Sequence, residues 1–557
     1  MKGFFNVNKD FVRLTALCAL LITGRANAIE KPSLDIESLE QTIEQSLQRF
    51  YTPGMSVVVI KDGITILKKG FGMASIEQQT LVDTETYFRI ASTTKAFTAL
   101  SMALLVQDGI LSWQDKVVDH LPEFRLKDHW STGEFTILDL FIHHAGLVSG
   151  AGDAMLWPEP SGFSRQQIIQ NLKYLTPEYS FRSTYAYNNL MYIVAGEIVA
   201  KYREKPWSTV VEDEILQPLG IDCFAGEMGA AAMKNIAHPY GEREGEVYPI
   251  PRNGILGSET VSSAAGGMVC NANGMESWLK FWLEMTKTSE TTDASESEEQ
   301  TVSADVNQED SIGQTINSRA ILKPELIDML LRSHRLLPLY KSEKERNGSH
   351  FKTYALGWRK ADIAGYEVIS HTGTLSGMQA YVLFIPEIHL GVAILNNGSN
   401  YAARSSVMQT VIKHYLTDSD IDWVEHFETK LDEAEQKYLE NYQAPIGSNK
   451  VSLPLTSYAG NYQDIWFGDM NIEMKENTLR LSMAKMSNLK AKLEPWQDNT
   501  FVIRWDNKNA ASDAFIQFQL DGANKVLRAT IKPFSVDEKC NHNFRDMIFE
   551  KLEIQQK

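Results

Sequence analysis

The sequence predicts an α+β unit followed by an all-β domain, on three observations. Strand-like runs lie at 54–75 and again at about 354–398, with helical patterns between them. That layout predicts helices and strands in one unit whose sheet joins distant parts of the chain. From about residue 453, short strand-like runs recur roughly every 8–12 residues between Asn, Asp and Gly, the pattern of a sandwich or barrel.

In order along the chain, Lys2, Lys9 and Arg13 precede an apolar run, LTALCALLITG from Leu14 to Gly24, and then Ala26-Asn27-Ala28. This is the layout of a secretory signal peptide cleaved after Ala28 (residues 1–28). The run is about half the ~20 apolar residues of a membrane span, so export to the periplasm or medium, with no stable span after cleavage, is expected. Residues 35–50 read as an amphipathic helix. In 54–75, two β-branched runs flank Lys61-Asp62-Gly63, a hairpin signal. Residues 92–108 read as a helix rich in Ala, Leu and Met that ends near Asp108-Gly109. Helical patterns continue to about 220, and YALGWRK, YEVISHTG, QAYVLFIP and LGVAILNN then read as strands. Between these blocks, 288–318 holds eight Asp or Glu and no Lys or Arg. It reads as a solvated, disordered insertion rather than a lid. Residues 424–452 read as a charged helix and linker, which leaves 29–423 as the main domain and 453–557 as the β domain.

The chain has 557 residues, 43% hydrophobic and 22% charged, with a formal charge of −17. That composition excludes a collagen-like or wholly disordered chain. The acidic balance argues against nucleic acid as a partner. After cleavage three cysteines remain, Cys223, Cys270 and Cys540. An odd number leaves at least one unpaired, and none has an activating context, so all three are expected as inert buried thiols.

Three short motifs carry the chemistry. In Ser92-Thr93-Thr94-Lys95, a Ser and a Lys three apart share a helix face. Ser92 falls in the first turn, where free N–H groups favour developing negative charge. A partly desolvated lysine beside it can act as the base for its hydroxyl. Ser-x-x-Lys also occurs at Ser277, Ser349, Ser482 and Ser487, but only Ser92 follows the strand-like TYFRIA and opens a strong helix. In Tyr187-Asn188-Asn189, a phenol near an ammonium group can carry protons because the cation stabilises phenolate. Asn189 offers a donor and an acceptor to a substrate amide. In His371-Thr372-Gly373, followed by Thr374, polar groups and a glycine suit a strand edge lining a cleft, where Gly lets substrate backbone approach. His143-His144 lacks metal-ligand spacing and reads as structural, and neither a metal nor a cofactor is called for.

Together these motifs resemble the serine β-lactamase and penicillin-recognising hydrolase family, in the branch of class C β-lactamases, DD-peptidases, D-aminopeptidases and related esterases. FRIASTTKAFTAL, TILDLFIHHAGL, EILQPLGI, AAGGMVCNANGMESWLKF and YALGW extend the resemblance over about residues 35–415. It implies a mixed antiparallel sheet flanked by helices plus an all-helical subdomain. It implies that Ser92 is acylated, that Lys95 and Tyr187 shuttle its proton, and that Asn189 holds the substrate amide. The N–H groups of Ser92 and Thr374 would form the oxyanion hole, and His371, Thr372 and Gly373 would face substrate. The family's third motif usually begins with Lys. An unperturbed His371 is mostly neutral, which tilts the expectation from carboxylate-bearing substrates towards D-residue peptides, amides or small esters. The alternatives are a β-lactamase or DD-carboxypeptidase proper, and a non-catalytic binding protein. The C-terminal domain resembles the lipocalin-like barrel of many relatives, where it caps a neighbour's site or mediates assembly. A homo-oligomer and a passive stabilising domain both remain open.

Overall fold

The computed structural model describes residues 33–251, 259–292, 322–417, 419–441, 447–507, 509, 513–533 and 544–553. The signal-peptide reading, most of the 288–318 insertion, residues 442–446 of the helix and linker, and Cys540 lie outside the described residues. The chain divides into a leading segment, Met1–Asp35, and one large unit, Ile36–Lys557, which holds every element below.

Nine strands form the main sheet: β1 (Gly54–Lys61), β2 (Ile64–Ser75), β3 (Thr80–Leu81), β4 (Arg335–Leu336), β5 (Lys352–Tyr354), β6 (Arg359–Ile363), β7 (Tyr366–Leu375), β8 (Met378–Ile385) and β9 (Leu390–Asn396). Their order is β3-β2-β1-β9-β8-β7-β6-β5-β4, antiparallel throughout. The distant strand blocks therefore join through β1 and β9, in register from Met55–Asn396 to Lys61–Leu390. The β1–β2 hairpin turns on Asp62 and Gly63, with φ of 53° and 81°. Two left-handed central residues match the right-handed twist of the flanking strands, hence the Asp-Gly pair.

Strands β1 and β9 are buried almost from end to end because helices cover both faces. Helix α1 (Ile36–Arg49) packs with α5 (Tyr401–Leu416), which lies on β8 and β9, while α4 (Ala272–Thr292) packs on β1 and β9. The helical region is built on α2 (Lys95–Gln107) and α3 (Leu190–Arg203), which pack on each other. Helix α2 is buried from Lys95 to Leu105. Phe97 stacks on Trp278 of α4 with ring centroids 3.9 Å apart, so α2 sits on the helix that covers the sheet.

The structure corrects the reading of three inert thiols, because Cys223 and Cys270 form a disulfide. The two cysteines are 47 residues apart in sequence. They face each other on Cys223–Phe224 and Val269–Cys270, in a small sheet that also contains Phe88–Arg89.

After α6 (Trp423–Asn441), eight strands between Gly460 and Lys551 close into a barrel through the pairing of Lys490–Asp498 with Thr500–Trp505. Alternate residues such as Leu479, Leu481 and Met483 point inward. The barrel docks on the segment 159–178 of its own chain. Gly162 N–H donates to the Lys485 carbonyl at 2.7 Å, and Asn171 Nδ2 donates to the Trp466 carbonyl at 2.7 Å. A Cβ at position 162 would lie 2.8 Å from that Lys485 oxygen, so only glycine allows this approach.

Candidate active site

Ser92 lies in the 3₁₀ turn Ala91–Thr94 that leads into α2. Ala91 has φ of 49°, a left-handed conformation costly for a residue with a Cβ. Its surroundings hold it. Thr93 Oγ1 donates to the Ile90 carbonyl at 2.8 Å. Strand β7 presses on the same carbonyl through Gly373, where a Cβ would come within 2.1 Å of it. This revises the reason for that glycine: it admits the protein's own backbone beneath Ser92, rather than that of a substrate.

Lys95 is fully buried, and its Nζ reaches three oxygens. It donates to Asn189 Oδ1 and to the Ala265 carbonyl, each at 2.7 Å, and lies 3.3 Å from Ser92 Oγ. Burial drives its pKa well below the usual ammonium value; Arg359 pushes the same way and Asp153 only partly opposes. A neutral amine has two hydrogens and one lone pair. Once deprotonated, with its two hydrogens on those two acceptors, Lys95 would turn its lone pair to the Ser92 hydroxyl. This geometry suits proton removal from Ser92.

Tyr187 and Asn189 flank a residue that fixes both. Asn188 is fully buried, and its Oδ1 accepts from the N–H groups of Leu190 and Met191, capping α3. With Asn188 turned to the helix, its neighbours face Lys95. The Tyr187 ring centre is 4.9 Å from Lys95 Nζ, and its hydroxyl is buried beside that of Ser92. Burial pushes this phenol up, partly countered by Arg359 and the nearby Ser92 hydroxyl. Burial therefore works against the phenolate that a neighbouring cation would favour.

His371 is also corrected. It is 1% exposed, with both ring nitrogens occupied. Nδ1 donates to the Thr372 carbonyl at 2.8 Å, so Nε2 accepts from the Tyr354 hydroxyl at 3.0 Å. Burial, with Arg359 and Lys95 nearby, holds its pKa well below the ordinary histidine value. His371 is therefore a neutral strut rather than a substrate contact. The cation near this place is Arg359 on β6, which sequence reasoning missed. Its register partner on β7 is Ser370, and its Nη1 donates to Thr372 Oγ1 at 3.1 Å. Thr374 is braced from behind by Arg404, whose Nη2 donates to its Oγ1 at 3.0 Å.

Sequence reasoning also missed Asp153. Its Oδ2 accepts from Asn189 Nδ2 at 2.9 Å, which fixes that amide with its oxygen towards Lys95. Oδ1 is buried without a partner, and burial carries the carboxyl up to about 7, against the pull of Asn189 and Lys95. From about pH 4 to 7 the folded state therefore holds a proton that the unfolded chain releases, and stability falls as pH rises through that range. Asp153→Asn is expected to equal wild type in thermal stability near pH 4. It should exceed wild type by a few degrees at pH 8, measured by calorimetry across that range. A wild type that is the more stable at pH 8 would contradict this.

Ser92, Tyr187, Asn189, Asp153, Arg359 and Thr374 all line one cavity of about 580 Å³. Asn507 and Asn509 of the barrel complete its wall. Of the pair read as structural, His144 Nε2 bonds Asp139 Oδ1 at 2.5 Å, and His143 packs 4.3 Å from the Tyr187 ring.

Comparison with known proteins agrees with this architecture. The family model described as Beta-lactamase matches residues 39–416, and a Domain of unknown function, DUF3471, matches 444–551. The unguisins hydrolase ungD' of Aspergillus campestris is 25% identical over 537 residues, 90% of this chain and 91% of its own. The octameric penicillin-binding protein homologue from Pyrococcus abyssi superposes with a TM-score of 0.56 at 19% identity, over 93% of this chain and 100% of its own. A class C beta lactamase from Rhodobacter sphaeroides, at 0.51 and 19%, covers 68% of this chain and 100% of its own. With a family match spanning most of its length and the fold of these neighbours, the chain belongs to the Beta-lactamase family.

Proposed function

We propose that the protein is an exported serine hydrolase that cleaves amide bonds in D-residue-containing peptides, or small esters, through an acyl-enzyme on Ser92. The observation that carries this reading is the fully buried Lys95 Nζ, 2.7 Å from both Asn189 Oδ1 and the Ala265 carbonyl and 3.3 Å from Ser92 Oγ, where burial drives its pKa well below the usual ammonium value and so favours a base. Lys95 takes the Ser92 proton as Oγ bonds to the substrate carbonyl carbon. The carbonyl oxygen gains negative charge between the N–H groups of Ser92 and Thr374, where fixed donors stabilise it most. As the C–N or C–O bond breaks, the Tyr187 phenol gives its proton to the leaving group and recovers one from Lys95. Water then attacks the ester by the reverse relay. The spare hydrogen of Asn189 Nδ2 is placed to hold a substrate carbonyl.

The name of the Aspergillus relative supports hydrolysis. The Cys223–Cys270 disulfide supports export, since such bonds persist in oxidising compartments. The octameric Pyrococcus neighbour supports an oligomer. A β-lactamase or DD-carboxypeptidase is the second reading. It is favoured by Arg359, a permanent cation that offers a substrate carboxylate what His371 lacks.

A substrate panel separates these readings, with Ser92→Ala as control: D- and L-aminoacyl anilides, a D-Ala-D-Ala peptide, nitrophenyl esters and a chromogenic cephalosporin. The expected result is Ser92-dependent turnover of a D-aminoacyl anilide or an ester, at least about 10²-fold above the cephalosporin in kcat/KM. Turnover led by the cephalosporin or the D-Ala-D-Ala peptide would establish the second reading. No turnover of any of these substrates by wild type would leave only a binding protein.

A further inference from the structure

A second cavity, of about 530 Å³, shares Tyr187, Arg359 and Thr372 with the first. It continues past the Arg359–Thr372 hydrogen bond to Arg346, Asn347 and Ser349, and to Gln409 of α5. Four residues of this lining each carry a buried polar atom with no partner among the described residues: Arg346 Nε, Asn347 Oδ1, Ser349 Oγ and Gln409 Oε1. Ser349 and Gln409 are each only 4% exposed. A folded protein rarely leaves buried donors and acceptors unmatched, and here four of them line one space. They comprise a guanidinium N–H, a hydroxyl and two amide oxygens, so they match a ligand that both donates and accepts.

The charge of the lining is also one-sided. Lys352 is paired with Glu343 at 2.5 Å, and Lys360 with Glu367 at 2.8 Å. The guanidinium groups of Arg346 and Arg359 have no carboxylate partner among the described residues. The cavity is therefore cationic, with amide oxygens beside the cations. A peptide end has the complementary chemistry, since its carboxylate suits Arg346 and Ser349 and its last N–H suits Asn347 or Gln409. Tyr187 connects this cavity to the proposed reaction. It faces both cavities, and in the proposed reaction it protonates the departing nitrogen, so the leaving group lies on its side.

We propose that this second cavity is a leaving-group compartment that takes the far end of a peptide beyond the residue next to the scissile bond and holds its terminal carboxylate. The direction assigned to the substrate rests on the Ser92 reading; the binding does not. The protein would then favour cleavage inside a D-peptide, with more than one residue departing.

The test is calorimetric binding to full-length Ser92→Ala, which binds without turning over. The probes are N-acetyl-D-Ala-D-Ala-D-Ala as the free acid and as its C-terminal amide. The acid is expected to bind at least about 10-fold more tightly than the amide. Arg346→Met in the same background should weaken the acid by at least about 5-fold while leaving the amide within about twofold. Gln409→Leu, in the opposite wall, provides an independent variant should Arg346→Met not fold. Equal affinity for acid and amide, no measurable binding of the acid, or an acid affinity unmoved by both variants would overturn the compartment. A wild type that cleaves none of the panel substrates, while Ser92→Ala still binds the acid through Arg346, would instead sink the hydrolase reading and leave the compartment standing.

Discussion

Ser92→Ala is expected to lose hydrolysis by at least about 10⁴-fold and to lose labelling by a fluorophosphonate probe altogether. The fold should be unaffected. The Ser92 side chain lies 3.3 Å from Lys95 Nζ and near the Tyr187 hydroxyl, and Lys95 keeps its two shorter bonds, to Asn189 and Ala265. The strained Ala91 turn is held by Thr93 and by Gly373 packing on Ile90, neither of which the substitution touches. Thermal stability within a few degrees of wild type is thus expected beside a complete loss of labelling. A variant that keeps most of its turnover would show that the chemistry runs elsewhere.

Lys95→Ala should lower kcat at least about 10²-fold, the usual contribution of a positioned proton carrier. It also orphans Asn189 Oδ1 and the Ala265 carbonyl, so stability falls too, by about 1–3 kcal/mol for each buried acceptor left unmatched. Lys95→Arg separates the two effects. Arginine keeps a donor and a charge but does not deprotonate in a protein, so it cannot be the base. Its activity should be as low as that of Lys95→Ala at every pH from 6 to 10. In the proposed reaction Lys95 acts as the neutral amine, and burial places its deprotonation well below the ordinary ammonium value. The wild-type rate should therefore rise from acid pH and reach its plateau well before pH 10. A rate that climbs only as pH approaches the ordinary lysine value would contradict the neutral amine, as would a Lys95→Arg enzyme with near-normal turnover.

Much of this was legible in the sequence because the signals are local. Asp62-Gly63 between β-branched runs specifies a two-residue hairpin whatever surrounds it. Ser92 and Lys95 share a face because they lie three apart at a helix start. The alternating runs after residue 453 announce β structure, although their spacing alone does not distinguish a sandwich from the closed barrel that forms. What was not legible depends on long-range approach. Arg359 matters because β6 lies beside β7, and YALGWRK shows no mark of it. Asp153 opens a three-residue 3₁₀ turn, Asp153–Met155, too short to carry a pattern, and acquires meaning only when α3 brings Asn189 to it. The Cys223–Cys270 pairing follows from two 2-residue strands, each too short to carry a pattern. The burial that takes His371 out of the cleft and raises the Tyr187 phenol was not legible because motif spacing carries no information on burial. Full desolvation disfavours the charged form of both groups.

The central claim is that one hydroxyl becomes covalently esterified during turnover. Trapping the enzyme with a fluorophosphonate or a slowly hydrolysed substrate, followed by peptide-mapping mass spectrometry, tests it most directly. The account expects one adduct per chain, on Ser92, absent from Ser92→Ala and slow to form in Lys95→Ala. An adduct on any other residue, or turnover without an acylated intermediate when deacylation is blocked, would contradict it.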